Sequence, residues 1–350
     1  GTIEIAGDYN GYKSTTNKDG IIIYSNGGHL SMDNAADKIT VNGDFNTCYN
    51  YYYGILKLGI IEIKGDLNDY YDSDDYYGLY SDGTKFIFSG TGKQTITATD
   101  GYIYFKNVDF VDTENRELVI NCEISADLCS DTYIAGDAVI YNGNLNGHLL
   151  NVSGNLTVNN SLSVNEGKIV VGKNLYNYGS VSLGGGTIEI AGDYNAYKST
   201  TNKDGTITYS AGGNLSMKNA VDKVTVNGDF NTCYNYNNSN YYLYDGTIII
   251  NGNLIDYYND SSNYYGLYSY GTKFIFSGAG NQTITATDGY IKFENVDFVN
   301  TENRELVINC EIAANLCSDT YITGNAIVRG NLNGHLLNVS GNLTVNNSID

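Results

Sequence analysis

Residues 1–20, GTIEIAGDYNGYKSTTNKDG, return at residues 186–205 as GTIEIAGDYNAYKSTTNKDG, with one residue changed. The copy holds its phase over a long distance. The offset is 185 at Gly1/Gly186 and Cys48/Cys233, 188 at Gln94/Gln282 and Cys122/Cys310, and 187 at His148/His335. The length differences therefore fall between about 50 and 80 and near 142. Both places read as loops or bulges, where an extra residue is tolerated best. The second copy stops at NNSID, matching 159–163, and NEGKIVVGKNLYNYGSVSLGG (165–185) occurs once. The chain thus reads as two repeats in one continuous rod, 1–187 and an incomplete 188–350, sliced from a longer array or continued by a neighbouring subunit.

Within each copy runs a shorter pattern: apolar, any, apolar, any, Gly, Asp or Asn, then apolar or aromatic. It is IEIAGDY at 3, ITVNGDF at 39, IEIKGDL at 61, VIYNGNL at 139, LNVSGNL at 150, IEIAGDY at 188, VTVNGDF at 224, IIINGNL at 248 and LNVSGNL at 337, with a degenerate IVVGKNL at 169. Alternation is the mark of a strand with one buried face. A Gly followed by Asp or Asn supplies a corner, through a missing Cβ or tolerance of left-handed backbone. Motif intervals of 19 (150 to 169 to 188), 22 (39 to 61) and 24 (224 to 248) are coil lengths, and 36 (3 to 39) reads as two short coils. No stretch keeps a 3.6-residue apolar period beyond two turns. The pattern predicts an all-β chain: a parallel β-helix, or β-solenoid, of about 20-residue coils with tyrosine-rich loops projecting from the rod. A hairpin-rich sandwich fits less well, because the same corner follows the same strand at coil-like intervals.

Composition narrows the function. A net charge of −20, with 19 Lys plus Arg against 39 Asp plus Glu, repels a phosphate backbone and excludes nucleic acid as partner. Only Arg116, Arg304 and Arg329 are arginines. No apolar run approaches the length of a membrane span, and the chain opens without a Met or an apolar leader, as a mature piece or fragment would. Pro is absent, which suits strands paired on both sides.

The order of blocks GNLTVNNSLSVNEGKIVVGKNL, GGTIEIAGDYN, GGNLSMKNAVDKVTVNGDF, GTIIINGNL and GTKFIFSGAGNQTITA resembles the long tandem-repeat surface proteins of bacteria, the filamentous-haemagglutinin-like, adhesin-type extracellular repeats, across essentially the whole chain. The resemblance implies an extracellular bacterial β-solenoid without a catalytic centre, and it carries no binding residue across. The expected role is structural or adhesive: a stiff surface rod or fibre, not an enzyme, with no cofactor. A glycan-binding or polysaccharide-degrading β-helix is the alternative.

Several clusters bear on that choice. TENREL places Glu114, Arg116 and Glu117 in one copy and Glu302, Arg304 and Glu305 in the other, with Asp131 matching Asp319. Such a cluster suits acid–base work on an acidic sugar, but reads more simply as a surface ion pair orienting a turn. His148 and His335 follow Asn-Gly in both copies, whereas His29 is replaced by Asn214, so the histidines read as corner residues. The six cysteines form no Cys-x-x-Cys pair. Cys122/Cys129 and Cys310/Cys317 are spaced for a disulfide in an oxidising compartment, or all six are buried thiols.

Asp69, Asp72, Asp74 and Asp75 gather oxygen ligands dense enough for a weak Ca²⁺ site, although the second copy keeps only Asp256 and Asp260. The tyrosines concentrate in loops: Tyr51, Tyr52, Tyr53, Tyr76 and Tyr77, then Tyr241, Tyr242, Tyr264 and Tyr265. Their rings suit contact with a glycan or cell-surface partner, or stacking on one another. At the ends, Ile3 and Ile5 and the run Leu343, Val345, Ile349 keep the alternation without a capping element, which predicts end-to-end stacking of this chain on itself.

Overall fold

The computed structural model describes residues 1–28, 30–48, 56–71, 78–99, 101–233, 242–258, 266–287 and 290–350. These form short strands joined by tight corners, with one 3₁₀ turn, Thr301–Asn303, and no α-helix among the described residues. Among the described residues no helix is long and apolar enough to cross a membrane. The chain groups into two compact units, Gly1–Leu156 and Thr157–Asp350.

In the first unit, Thr2–Ile5, Lys38–Val41, Ile60–Ile63 and the end of Tyr80–Phe88 stack in parallel and in register, with Ile3 beside Ile39, Ile39 beside Ile61 and Ile61 beside Phe86. A second ladder runs from the start of Tyr9–Thr16 through Phe45–Thr47, Leu67–Asp69 and Gln94–Ala98 to Leu118–Ile120. A third side joins Met32 to Leu56, and stacks Tyr102–Phe110, Glu123–Leu128 and Ala138–Asn144. The second unit repeats the plan through Lys168–Val171, Thr187–Ile190, Lys223–Val226, Thr247–Ile250 and Lys273–Phe276. Parallel strands paired to the coil below and the coil above, three sides to a turn, are a β-solenoid, as the alternation predicts.

The interval of 36 is one coil, not two. Ile3 pairs directly with Ile39, and Ile188 with Val224. The extra length leaves the turn as an antiparallel hairpin, Tyr9–Thr16 against Ile22–Asn26 in one unit and Tyr194–Thr201 against Ile207–Ala211 in the other. The one-residue difference near 142 is a β-bulge: pairing slips between Ile124 and Ser125 against Ala138–Asn144, while Glu311–Leu316 against Ala326–Asn331 has no slip. VIYNGNL at 139 is not a corner, because it lies inside the strand Ala138–Asn144.

The core follows the alternation. Ile63, Val226 and Ile250 are fully buried, while Glu62, Thr225 and Ile249 lie half-buried on the other face. Phenylalanines fill the coil centres with one geometry in both units. Phe86–Phe105 and Phe274–Phe293 have centroids 5.0 Å apart, and Phe88–Phe110 and Phe276–Phe298 stack at 5.2 Å.

The Gly-Asp corner has a specific cause. Asp8 Oδ1 accepts the Asp44 amide of the next coil at 2.8 Å, Asp44 Oδ1 accepts the Asp66 amide at 2.8 Å, and Asp66 Oδ1 accepts the Thr95 amide at 2.7 Å. Asn174, Asp193, Asp229 and Asn253 build the same column in the second unit, ending on the Thr283 amide. The carboxylate rises into the space a Cβ of the next corner would need. A Cβ on Gly43 would lie 2.1 Å from Asp8 Oδ1, and one on Gly228 would lie 2.2 Å from Asp193 Oδ1. Neither glycine has positive φ, so close approach, not left-handed backbone, selects it.

Candidate functional surfaces

The first place to look is the base of each tyrosine-rich loop. Asp69 turns inward. It is buried, and its carboxylate accepts from Thr47 Oγ1 at 3.1 Å, the Leu79 amide at 2.5 Å and the Tyr71 amide at 3.4 Å. Asp256 does the same with Thr232, Leu267 and Tyr258. A buried carboxylate with several donors is a clasp: it closes the loop where the chain leaves one strand and rejoins the next turn. Asp72, Asp74 and Asp75 lie outside the described residues, as do Tyr51, Tyr52, Tyr53, Tyr76, Tyr77, Tyr241, Tyr264 and Tyr265. Tyr242 is described and half-buried, its carbonyl accepting the Met217 amide at 2.6 Å.

At the base of each hairpin, tyrosines pack on one another. Tyr24 of the hairpin stacks on Tyr70 at 4.1 Å, with Tyr12 edge-on to both. Tyr209 stacks on Tyr257 at 4.1 Å, with Tyr197 beside them. Loss of solvent around the rings raises the phenol pKa of Tyr70, Tyr197 and Tyr257 above the usual value. These rings bolt each projecting hairpin to the loop base two coils on.

The TENREL arginines serve the backbone. Arg116 Nε donates to the Val111 carbonyl at 2.8 Å and Nη2 to the Phe88 carbonyl at 2.9 Å. Arg304 repeats this with Val299 and Phe276, both at 3.1 Å. Burial pulls both guanidinium pKa values down. The expected ion pair within the motif is replaced by an Arg that ties a turn to the coil before it, while Glu117 pairs with Lys93 at 2.8 Å. His148 Nδ1 lies 3.6 Å from Asp131 and His335 Nδ1 lies 3.5 Å from Asp319. The spacing in sequence hid this duplicated pair. Its aspartates also cap the amides of Leu149 and Leu336, and all four side chains are substantially exposed, so each pair adds little to stability.

All six cysteines are free thiols. Cys122 and Cys129 flank the strand Glu123–Leu128, whose extended run of ~20 Å holds them far beyond disulfide reach. Cys310 and Cys317 flank Glu311–Leu316 in the same way. Burial pushes the Cys233 thiol up to about 11. No group of three or more His, Cys, Asp or Glu is placed to hold a metal ion among the described residues.

At the termini, the strand Thr2–Ile5 and the strand Leu343–Ile349 are exposed along most of their length. Ile3, Leu343 and Val345 expose 53%, 45% and 46% of their surface, and Ile5 and Ile349 are half-buried.

The second unit also carries a cleft of about 380 Å³ on its third side, between Tyr268, Tyr290, Lys292, Glu294, Asn315 and Arg329. Lys292 Nζ sits 4.3 Å from the Tyr268 ring centre and hydrogen-bonds its hydroxyl, and the Arg329 guanidinium sits 4.4 Å from that of Tyr290. Glu294 lies 3.8 Å from Lys292, and Glu311 lies 3.6 Å from Arg329 Nε. No family model, curated protein or solved structure matches the chain.

Proposed function

We propose that this is a structural repeat protein of the bacterial cell exterior, whose solenoid coils stack end to end into a surface rod or fibre with an adhesive role. The observation that supports it is where the side chains are used. Corner aspartates, buried phenylalanines, loop clasps and the TENREL arginines each bind one coil to another, and the same set recurs in both repeats. Cell-surface placement rests on the resemblance of its block order to adhesin-type repeats.

End-to-end stacking rests on the exposed apolar strands. Ile3 and Ile5 offer one half of a coil-on-coil joint, and Leu343, Val345 and Ile349 the other. A strand paired on one edge only, with exposed apolar residues, is a template for another strand. Electron microscopy and sedimentation of the 350-residue chain test the reading. Filaments that lengthen with concentration are expected, and Ile5→Lys should leave each subunit folded but shorten or abolish them. A monomer at high concentration, or filaments of parental length from Ile5→Lys, would overturn it.

A further inference from the structure

Five of the differences between the two repeats gather on one face of the second unit, and that face carries the cleft. Between 101–163 and 289–350 the sequence is largely retained. Within that stretch Tyr104 becomes Lys292, Lys106 becomes Glu294, Ser125 becomes Ala313 and Asp127 becomes Asn315. Arg329 takes the register position of Asn142, since Ser125 pairs with Asn142 and Ala313 pairs with Arg329. All five second-copy residues line the cleft.

The first unit fills the corresponding surface with itself. Tyr104 stacks on Tyr80 at 4.4 Å, Tyr141 from the bulge meets Tyr102 edge-on at 5.5 Å, and the Tyr102 hydroxyl bonds Ser125 Oγ at 2.7 Å. In the second unit the bulge residue is gone, the serine is an alanine, and two cations stand over the tyrosines in place of two rings. The buried phenylalanines, by contrast, are identical in both units. Ring-on-ring packing in one unit is thus replaced in the other by an open cleft with convergent polar groups, the form a ligand site takes.

The chemistry of the cleft defines the ligand class. Two of its walls are tyrosine rings, each with a cation over one face, and an aromatic wall suits a sugar. Lys292 and Arg329 supply positive charge on a chain of net −20, and Arg329 is the one arginine of three not tied to the carbonyls of a TENREL turn. Glu294 and Glu311 stand beside them at 3.8 and 3.6 Å, so a ligand carboxylate would share the two cations with these side chains. Asn315, Asn347 and Ser348 add amide and hydroxyl groups. The volume lies near the lower end of the ~300–1,000 Å³ of small-molecule sites. We infer that this cleft binds an acidic saccharide, with a sugar carboxylate between Lys292 and Arg329 and the ring against the tyrosines.

The test uses the full chain and calorimetric titration with three probes: tetragalacturonate, a hyaluronan tetrasaccharide and the methyl ester of tetragalacturonate. At least one of the two acidic probes should bind with one site per chain, and the neutral ester at least tenfold more weakly. Arg329→Asn and Lys292→Tyr, which restore residues the first repeat already carries, should each weaken binding at least tenfold while circular dichroism and thermal unfolding stay at parental values. If either variant misfolds, Glu294→Gln serves in its place: removing the negative charge beside Lys292 should strengthen binding of the acidic probe. Absence of binding by both acidic probes at millimolar concentration, equal binding of acid and ester, or parental affinity in folded variants would each overturn the assignment. Filament formation is scored separately, and because Asn347 and Ser348 belong to the strand proposed for the joint, binding is titrated below the concentration at which filaments form.

Discussion

At the scale of single residues, the corner glycines give the sharpest contrast. A Cβ on Gly228 meets Asp193 Oδ1 at 2.2 Å and the Gly192 backbone at 2.7 Å, while one on Gly280 meets nothing within 4 Å. Gly228→Ala should lower the urea midpoint by the equivalent of about 1–3 kcal/mol, the usual cost of overpacking, and Gly280→Ala should be neutral or slightly stabilising. Equal effects would remove close approach as the reason for the glycine. Val226→Ala should cost on the order of 1–3 kcal/mol through a cavity, and an unchanged midpoint would refute its inward register. Cys233 gives a pH signature. Its folded pKa is raised, from 9 in the ordinary thiol to about 11, so the folded state holds the proton more tightly. Its contribution is fully present below pH 9 and is lost as pH climbs from there through 11. Urea midpoints across that window should fall more in the parent than in Cys233→Ser, whereas equal slopes would argue against it. The inward register was legible because alternation needs only the side-chain period. Asp69 was not: a carboxylate in a run of Asp and Tyr looks solvated until the fold reveals three donors converging on it.

At the scale of elements, the hairpins were the feature misread. An interval of 36 fits two short coils as arithmetic, and nothing in STTNKDG distinguishes a turn within a coil from a hairpin that leaves it. Pairing of Ile3 with Ile39 settles the matter, because a second coil would have to intervene. The tyrosine bolt has a measurable consequence. Tyr257→Ala removes the partner on which Tyr209 stacks, an interaction worth about 0.5–1.5 kcal/mol beyond area burial. Amide exchange should quicken across the pairs Tyr197/Ala211 to Thr201/Ile207 and stay slow in Thr247–Ile250. Unchanged hairpin exchange would show that the stack holds nothing. The cleft left a readable trace in sequence, since Tyr104/Lys292, Lys106/Glu294 and Asn142/Arg329 differ inside a retained stretch. What sequence withheld was their convergence: they sit on different turns and meet only when coils stack.

At the scale of the whole molecule, the net charge of −20 bears on the proposed end-to-end assembly. In that assembly each subunit would repel the next, and screening at higher ionic strength weakens such repulsion without weakening apolar burial. Filament growth should therefore accelerate between 20 mM and 300 mM salt, read by light scattering. Growth that slows with salt would point to an ion-paired joint in place of an apolar one. The same titration should act oppositely on the cleft, where salt competes with a sugar carboxylate for Lys292 and Arg329.

The corner column also has a direction. In every step the side chain belongs to the earlier turn and the amide it holds belongs to the later one, from Asp8 to Asp44 to Asp66 and from Asp193 to Asp229 to Asn253. Turns joined this way obey a word order. A turn can follow any other that ends in an acceptor, so whole turns can be duplicated, deleted or exchanged between repeats while the syntax stays intact. A turn inserted backwards would set one carboxylate against another and leave two amides unanswered. The column thus works as a reading frame written in hydrogen bonds, and it admits growth of the array in one sense only.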